Sequence, residues 1–224
     1  RLGIKCFAIK DNLVKLTKKN KYKFNKKKNF YTLDKAVTGE SNLNKIKILK
    51  RYFYKNKIDV MLITSPENIA WLLNIRGCDS DYSPIPNCYL FIDKKMRIFL
   101  FCDLIKVDTK FERKLNFVHI LQINKLENFL QRVKNQNFLI DELTCSIFYK
   151  NIIKKNNKIL KIIDPIYYLK SQKNKVEIKN MKKVHEYDGA ALTKFLFWIQ
   201  SNYETKKISE LTAQEKLLSI KKKI

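Results

Sequence analysis

The segment 68–91 reads NIAWLLNIRGCDSDYSPIPNCYLF, and it predicts an apolar helix, a polar turn and a strand in succession. Ser65 stands where a capping residue is expected, and Pro66 suits the first helical position. The helix is apolar on almost every side, through Ile69, Trp71, Leu72 and Leu73. A helix of this kind is buried in the core of a protein.

The turn at 74–86 holds one glycine, two prolines, two aspartates and a single arginine. Two interpretations stand side by side. In the first, the turn is a structural loop in which Arg76 pairs with Asp79 or Asp81. In the second, the polar residues line a cleft, because loops often carry binding residues.

Strands and helices alternate on both sides of this segment. Upstream, Ser41 or Asn42 caps a helix whose apolar face carries Ile46, Leu49 and Phe53, with lysines opposite. The predicted strands cover 59–64, 88–93, 97–103, 117–121, 138–141 and 159–163, and further helices cover 104–115, 125–134 and 143–153. The strands 88–93 and 97–103 form a hairpin. The pattern predicts an α/β fold with a mixed six-stranded sheet flanked by helices on both faces.

A long helix is predicted after a short connector at 164–173. Asn174 and Glu177 form a capping box, and the helix reaches about residue 203. One stripe of this helix, which we expect to be buried, carries Ile178, Met181, His185, Asp188, Leu192, Phe195 and Ile199. His185 and Asp188 would then be bonded structural anchors. Gly189 indicates a close helix contact, and a second capping box at 212–215 opens a last helix.

The net charge of +26 has two interpretations. Lysine supplies nearly all of it and is scattered along the chain, which is what an AT-rich coding sequence produces whatever the function. The alternative is binding to a polyanion. The run 18–28, with Tyr22 and Phe24 among its lysines, is read as an exposed linker rather than a nucleic-acid arm. The apolar runs are too short to span a bilayer, so no membrane partner is expected.

The five cysteines do not have the spacing of a metal site. They are Cys6, Cys78, Cys88, Cys102 and Cys145, without any Cys-x-x-Cys pair. An odd number with no secretory signal pattern indicates reduced thiols in a cytoplasmic protein. We expect Cys102 and Cys145 in the core and Cys78 exposed in the turn.

Several motifs resemble the three-domain Xaa-Pro aminopeptidases, or aminopeptidase P, of the creatinase/prolidase-like pita-bread metallopeptidase family. IAWLLNIRGCDSDYSP at 69–84 resembles a signature of the middle, non-catalytic domain. DNLV at 11–14 resembles the end of the first domain. The segments 173–198 and 208–213 resemble the opening helices of the catalytic domain.

The resemblance implies three regions. Residues 1–38 would be the remnant of a preceding domain and a basic linker, and 39–170 a middle domain with the creatinase N-terminal fold. Residues 171–224 would be the first helices of an incomplete pita-bread domain. With no initiator Met at its start, the sequence is expected to be a piece of a longer chain.

The parent enzyme implied by the resemblance removes an N-terminal residue that precedes proline, using metal-activated water. It uses two divalent ions, usually manganese, held by two Asp, one His and two Glu that follow the matching segments. We therefore assign no catalytic, cofactor-binding or metal-binding residue here, and we expect this chain alone to be inactive. Peptides with proline in second position are the expected substrates of the parent, and a homodimer is left open. A basic nucleic-acid-binding module and a decayed gene product are the alternatives.

Overall fold

A six-stranded sheet forms the centre of the fold. The structure is a computed structural model, and it describes Gly3, Ile9 and residues 28–80, 83–205 and 207–224. The strands are β1 (Tyr31–Thr32), β2 (Val60–Ile63), β3 (Ile75–Arg76), β4 (Cys88–Asp93), β5 (Ile98–Cys102), β6 (Val118–Gln122), β7 (Asn137–Ile140) and β8 (Lys158–Lys161). The helices are α1 (Lys35–Thr38), α2 (Asn42–Lys55), α3 (Pro66–Leu73), α4 (Thr109–Lys114), α5 (Leu126–Arg132), α6 (Ile147–Lys154), α7 (Pro165–Ser171), α8 (Lys175–Asn202) and α9 (Glu210–Lys221).

The strand order of the large sheet is β6-β5-β4-β2-β7-β8. β4 pairs antiparallel with both β2 and β5, and the β2–β7, β5–β6 and β7–β8 pairs are parallel. The predicted mixed α/β sheet and its hairpin are therefore confirmed. β1 and β3 form a separate antiparallel pair. Phe30, which directly precedes β1, is buried in the core formed with α2 and α3.

Helices cover both faces of the sheet because successive side chains of a strand point in opposite directions. In β2, Met61 and Ile63 join the core formed with α2 and α3. Val60 and Leu62 join a second core, formed with α5 and α6. This two-sided burial explains why β2 reads as an unbroken apolar run.

Three helix predictions need correction at their ends. The predicted helix 104–115 is a 3-10 turn at Leu104–Lys106 followed by α4, because the Asp108 side chain accepts from Phe111 N and starts a new helix. The predicted helix 143–153 begins instead at Ile147, where the Ser146 hydroxyl is the cap. The second capping box lies three residues earlier, at Ser209 and Thr212.

The connector predicted at 164–173 was wrong, because most of it is helix α7. Asp164 caps this helix by accepting from Ile166 N at 2.8 Å, and Pro165 occupies the first turn. Ile166 is fully buried and fixes the helix to the core. A seven-residue helix is too short to show a clear periodicity in the sequence.

The expected burial of His185 and Asp188 in α8 was also wrong. Its length and its capping box at Asn174 and Glu177 are confirmed. His185 and Asp188 are exposed: His185 Nδ1 lies 2.9 Å from Met181 O, and Asp188 pairs with Lys221 of α9 at 2.8 Å. A Cβ at Gly189 would meet nothing within 4 Å, so the expected close helix contact is absent there. Of the α8 residues described, Ala191 is buried.

Some sequence predictions fall outside the described residues, namely the 11–14 motif, most of the basic run 18–28, and Cys6. The domain divisions after residues 38 and 170 stay predictions. Within the described part of the chain, no helix combines the length and apolar character needed to cross a membrane.

Candidate functional site at the two ends of helix α3

Helix α3, from the segment quoted first, connects the sheet domain to α7 and α8. Pro66 occupies its first turn as expected, but the Ser65 hydroxyl does not cap it. Ser65 instead accepts a hydrogen bond from the Tyr167 hydroxyl at 3.3 Å, which ties the start of α3 to α7. At the other end, Asn74 takes the left-handed conformation, with φ of 54°. Asparagine tolerates this conformation better than most residues, so the helix ends there.

Lys45 of α2 lies under the C-terminal end of α3. Its side chain is buried, with 1% of the residue exposed, although α2 is otherwise lined with exposed lysines. The amine donates to Trp71 O and to Asn74 Oδ1, both at 2.8 Å. It also lies 4.0 Å from the centre of the Trp71 ring, a cation–π distance. The buried charge of Lys45 is therefore stabilised by three groups: the backbone oxygen of Trp71, the Trp71 ring and the side-chain oxygen of Asn74.

Sequence reasoning missed Lys45 because it assigned the lysines of α2 to the solvent face. A signal existed, since Lys45 lies four residues before the buried Leu49 and so shares its face. In a chain with 41 lysines among 47 basic residues, one buried lysine does not stand out.

Trp71 of α3 and its cap residue Asn74 also contact α8 and the segment after α1. Asn74 Nδ2 donates to Glu40 O at 2.8 Å. The indole N–H of Trp71 donates to Glu177 Oε1 at 3.4 Å, and Glu177 Oε2 accepts from Asn174 N at 2.9 Å. The capping box of α8 is thus bonded to the end of α3.

Asn174 fixes the start of α8 to the end of α1 as well. Its Oδ1 accepts from Val176 N and Glu177 N at 3.0 Å each, and its Nδ2 donates to Thr38 O at 2.8 Å. Gly39 lies directly against it: a Cβ there would be 2.1 Å from Asn174 Oδ1. Gly39 also has φ of 73°, where any other residue is strained.

Gly39→Ala is therefore expected to release the first turn of α8. The left-handed backbone costs a non-glycine residue about 1 kcal/mol, and loss of the Asn174 cap costs about 1 kcal/mol more. Hydrogen exchange at the amides of 175–180 should rise by one to two orders of magnitude, while the sheet amides change little.

Gly189→Ala is the matched control, because it adds the same methyl group inside α8 where nothing lies within 4 Å. It should stabilise the helix by up to about 1 kcal/mol. Equal protection of 175–180 in the wild type and Gly39→Ala would contradict the role of Gly39.

A second polar cluster lies at the start of α3, around the fully buried Asn68. Asn68 Nδ2 donates to Asp164 Oδ2 at 2.6 Å, and Asn68 Oδ1 accepts from Lys170 Nζ at 2.7 Å. Asp164 N in turn donates to Asp141 Oδ2 at 3.0 Å. Burial raises the pKa of the Asp164 carboxyl to about 6, and the nearby Asp141 charge adds to this, while the Asn68 bond opposes it.

The described part of the polar turn after α3 is held by local bonds, although not through the expected ion pair. Arg76 donates to Ala70 O at 3.2 Å and to Ile75 O at 2.8 Å, so it closes the end of α3. Asp79 pairs with Lys106 and accepts from Asn87 N at 2.7 Å. The pairing of Arg76 with Asp79 was therefore wrong, and Asp81 lies outside the described residues.

The cysteine predictions hold wherever the structure describes them. Cys102 and Cys145 are buried in the two cores, Cys88 is buried as well, and Cys78 is exposed. Burial raises the pKa of the Cys102 thiol to about 12 and that of Cys145 to about 11. Thiols with such pKa values are poor nucleophiles at neutral pH.

The described residues do not fit a dinuclear metal centre. Among residues 28–80, 83–205 and 207–224, no group of three or more His, Cys, Asp or Glu side chains could hold a metal ion. His119 is on β6, where its ring stacks on Phe99 at 4.9 Å, and His185 is on α8.

A known protein family matches most of the chain, including the sheet and the start of α8. Residues 23–177 match the model of the family described as the creatinase/prolidase N-terminal domain. The chain belongs to this family. The match begins before β1 and ends at Glu177, so it includes α3 and both of its polar clusters.

Relatives of this creatinase/prolidase-type chain are named as Xaa-Pro aminopeptidases, so the resemblance read from the sequence is confirmed. A probable Xaa-Pro aminopeptidase P of Laccaria bicolor is 28% identical over 203 residues, which is 88% of this chain and 31% of that protein. Xaa-Pro aminopeptidase 1 of Dictyostelium discoideum is 29% identical over 177 residues, 78% of this chain and 28% of that protein. Each match thus covers less than a third of the length of the relative.

Solved structures confirm the creatinase N-terminal-like fold. The X-prolyl aminopeptidase of Caenorhabditis elegans, described as a cytosolic enzyme with a di-nuclear active site, matches with a TM-score of 0.82 at 24% identity. The match covers 95% of this chain and 36% of that one. The prolidase of Pyrococcus furiosus matches with a TM-score of 0.55 at 22% identity, over 78% of this chain and 48% of that one.

Proposed function

We propose that this chain is the non-catalytic middle part and the catalytic-domain opening of a Xaa-Pro aminopeptidase. The parent removes an N-terminal residue that precedes proline, by metal-activated water at two divalent ions that we expect to be manganese. In this proposal residues 1–38 belong to a preceding domain and linker, 39–170 form the middle domain and 171–224 open the catalytic domain. The parent is a cytoplasmic enzyme, and a homodimer is compatible with it.

The observation that carries the proposal is the docking of α8 on α3. The start of α8 is bonded to the sheet domain through Asn174 and Glu177, at distances from 2.8 to 3.4 Å. A helix fixed at its first turn points in one direction, so a unit built on it has a defined position. We therefore propose that the described residues position the catalytic domain and do not themselves cleave the peptide.

The purified 224-residue chain is expected to be inactive. The measurement is release of the N-terminal residue from Xaa-Pro peptides with and without added manganese, beside calorimetric titration of manganese into the chain. Neither cleavage nor stoichiometric manganese binding should be seen. A longer polypeptide containing this sequence, where one is encoded, should cleave the same peptides in a chelator-sensitive way. Chelator-sensitive cleavage by the 224-residue chain alone would overturn the division of roles.

The nucleic-acid alternative finds no support among the relatives compared above, which are all named as peptidases. Its motivation was the net charge and the basic run 18–28, most of which lies outside the described residues.

A further inference from the structure

The indole of Trp71 lies between a buried cation and a carboxylate. The Lys45 amine is 4.0 Å from the ring centre, and the ring N–H donates to Glu177 Oε1 at 3.4 Å. The three residues come from three different elements: Lys45 from α2, Trp71 from α3 and Glu177 from α8. They therefore form a chain of contacts from the sheet domain to the first turn of α8.

The two contacts of the indole strengthen each other. A carboxylate that accepts from the ring N–H pushes electron density into the ring, and a cation is held by that density on the ring face. The ammonium also lies at the C-terminal end of α3, where the helix dipole favours positive charge. Because Trp71 is half-buried and Lys45 is buried, water screens this arrangement less than it would at the surface.

The ammonium also fixes the orientation of Asn74. A protonated lysine can only donate, so the carbonyl oxygen of the Asn74 side chain must face it. The amide nitrogen then faces Glu40 O, to which it donates at 2.8 Å. The charge on Lys45 thus determines two bonds that leave α3.

Charged groups surround Lys45 from three sides. Glu177 of α8 and Glu40, which precedes α2, favour the protonated amine, and Arg76 of β3 opposes it. Burial is the largest influence, and it lowers the pKa of Lys45 to about 8. The charge of Lys45 can therefore be removed at a mildly alkaline pH.

We propose that Lys45, Trp71 and Glu177 form an electrostatic triad in which the indole links a cation of the sheet domain to a carboxylate of α8. The triad positions the first turn of α8, and Lys45 and Glu177 act on it as a coupled pair. The proposal deepens the proposed function and rests on it for the role of α8. The coupling itself can be measured on this chain without any peptidase assay, so the triad and the proposed peptidase function can be disproved separately.

A double-mutant cycle tests the coupling, with hydrogen exchange at the amides of 175–180 as the readout. The variants are Lys45→Met, Glu177→Gln and the double variant, all at about pH 7. Methionine keeps the length of the lysine side chain, and glutamine keeps an oxygen for the indole N–H. We expect an interaction of about five- to tenfold, the size of one cation–π contact, so that the double variant departs by this factor from the product of the single effects. Independent, multiplying effects would overturn the proposal.

Two further variants separate the triad from general effects of charge. Lys47→Met removes an exposed lysine two residues along α2 and should leave exchange at 175–180 unchanged. Trp71→Phe keeps an aromatic ring beneath the amine but removes the N–H. In that background the coupling between Lys45 and Glu177 should fall to less than about half on the logarithmic scale. Full coupling without the N–H would show that the indole is not the link.

A pH titration keeps the proposal testable if Lys45→Met does not fold. In a Trp198→Phe background, Trp71 is the sole tryptophan of the chain, and its fluorescence should follow the charge on Lys45. We expect a midpoint near pH 8. Glu177→Gln should move the midpoint to lower pH, because the carboxylate favours the protonated amine. A midpoint that does not move would overturn the proposal.

Discussion

Asn68→Ala is expected to lower the free energy of unfolding by about 3 kcal/mol at about pH 8, the range in which breaking a buried charged hydrogen-bond network falls. Asn68 is fully buried and serves two charged partners at once, Asp164 at 2.6 Å and Lys170 at 2.7 Å. Alanine can bond to neither Asp164 nor Lys170, so both charged side chains lose this buried hydrogen-bond partner.

The loss should shrink as the pH falls toward about 5. The folded pKa of Asp164 is raised to about 6, from 3.8. The stability that this raised pKa contributes is present at low pH and is lost as the pH rises through about 6. Asn68 favours the charged carboxylate, so its removal raises the folded pKa further. The variant therefore loses most stability where Asp164 is ionised, and less where it is protonated.

Urea unfolding at the two pH values measures both effects. Asn151→Ala, on the exposed face of α6, is the control and should cost less than about 0.5 kcal/mol at either pH. An Asn68→Ala penalty that is equal at both pH values would mean that Asp164 does not depend on Asn68 for its charge.

The strands of the large sheet could be predicted because each carries its own signal. β2 is a four-residue apolar run buried on both faces, and the hairpin of β4 and β5 is closed by a short polar turn. In that turn Asp93 accepts from the backbone N–H of both Lys95 and Arg97, at 3.0 and 2.9 Å. Signals of this kind lie within a few residues of the element they determine.

The candidate site could not be predicted, because its contacts join residues that are distant in sequence. Lys45 meets Asn74 across 29 positions, and Asn68 meets Asp164 across 96. Periodicity identified an apolar face on α8 but could not say what covers it. His185 and Asp188 were placed on a buried stripe by spacing alone, and the structure leaves both exposed.

Limited proteolysis of the whole chain should cut the segment after residue 173 far faster than the sheet domain. We expect the resistant core to extend from the buried Phe30 to the end of helix α7. A domain of this size is held by several kcal/mol, so its cleavage through unfolding should be slower by about three orders of magnitude.

The apolar stripe of α8 is the reason for this difference. Ile178, Met181 and Leu192 remain 45%, 47% and 49% exposed, although burying each would be worth roughly 1.5 to 3 kcal/mol. α9 covers only the later part of the helix, where Lys216 lies 5.3 Å from the Trp198 ring. The first turn is held by Asn174 and Glu177, so the earliest cuts should fall after exposed lysines beyond it, such as Lys182 and Lys183.

Trypsin digestion at two protein concentrations, with the fragments identified by mass, decides between the outcomes. Protection of 174–224 that grows with concentration would show that a second copy of the chain covers the stripe. Cuts in the sheet domain before any cut in α8, in a sample shown to be monomeric, would contradict the prediction. In that case α8 would be stabilised by its own contacts alone, and its exposed apolar residues would not make it the weaker part of the molecule.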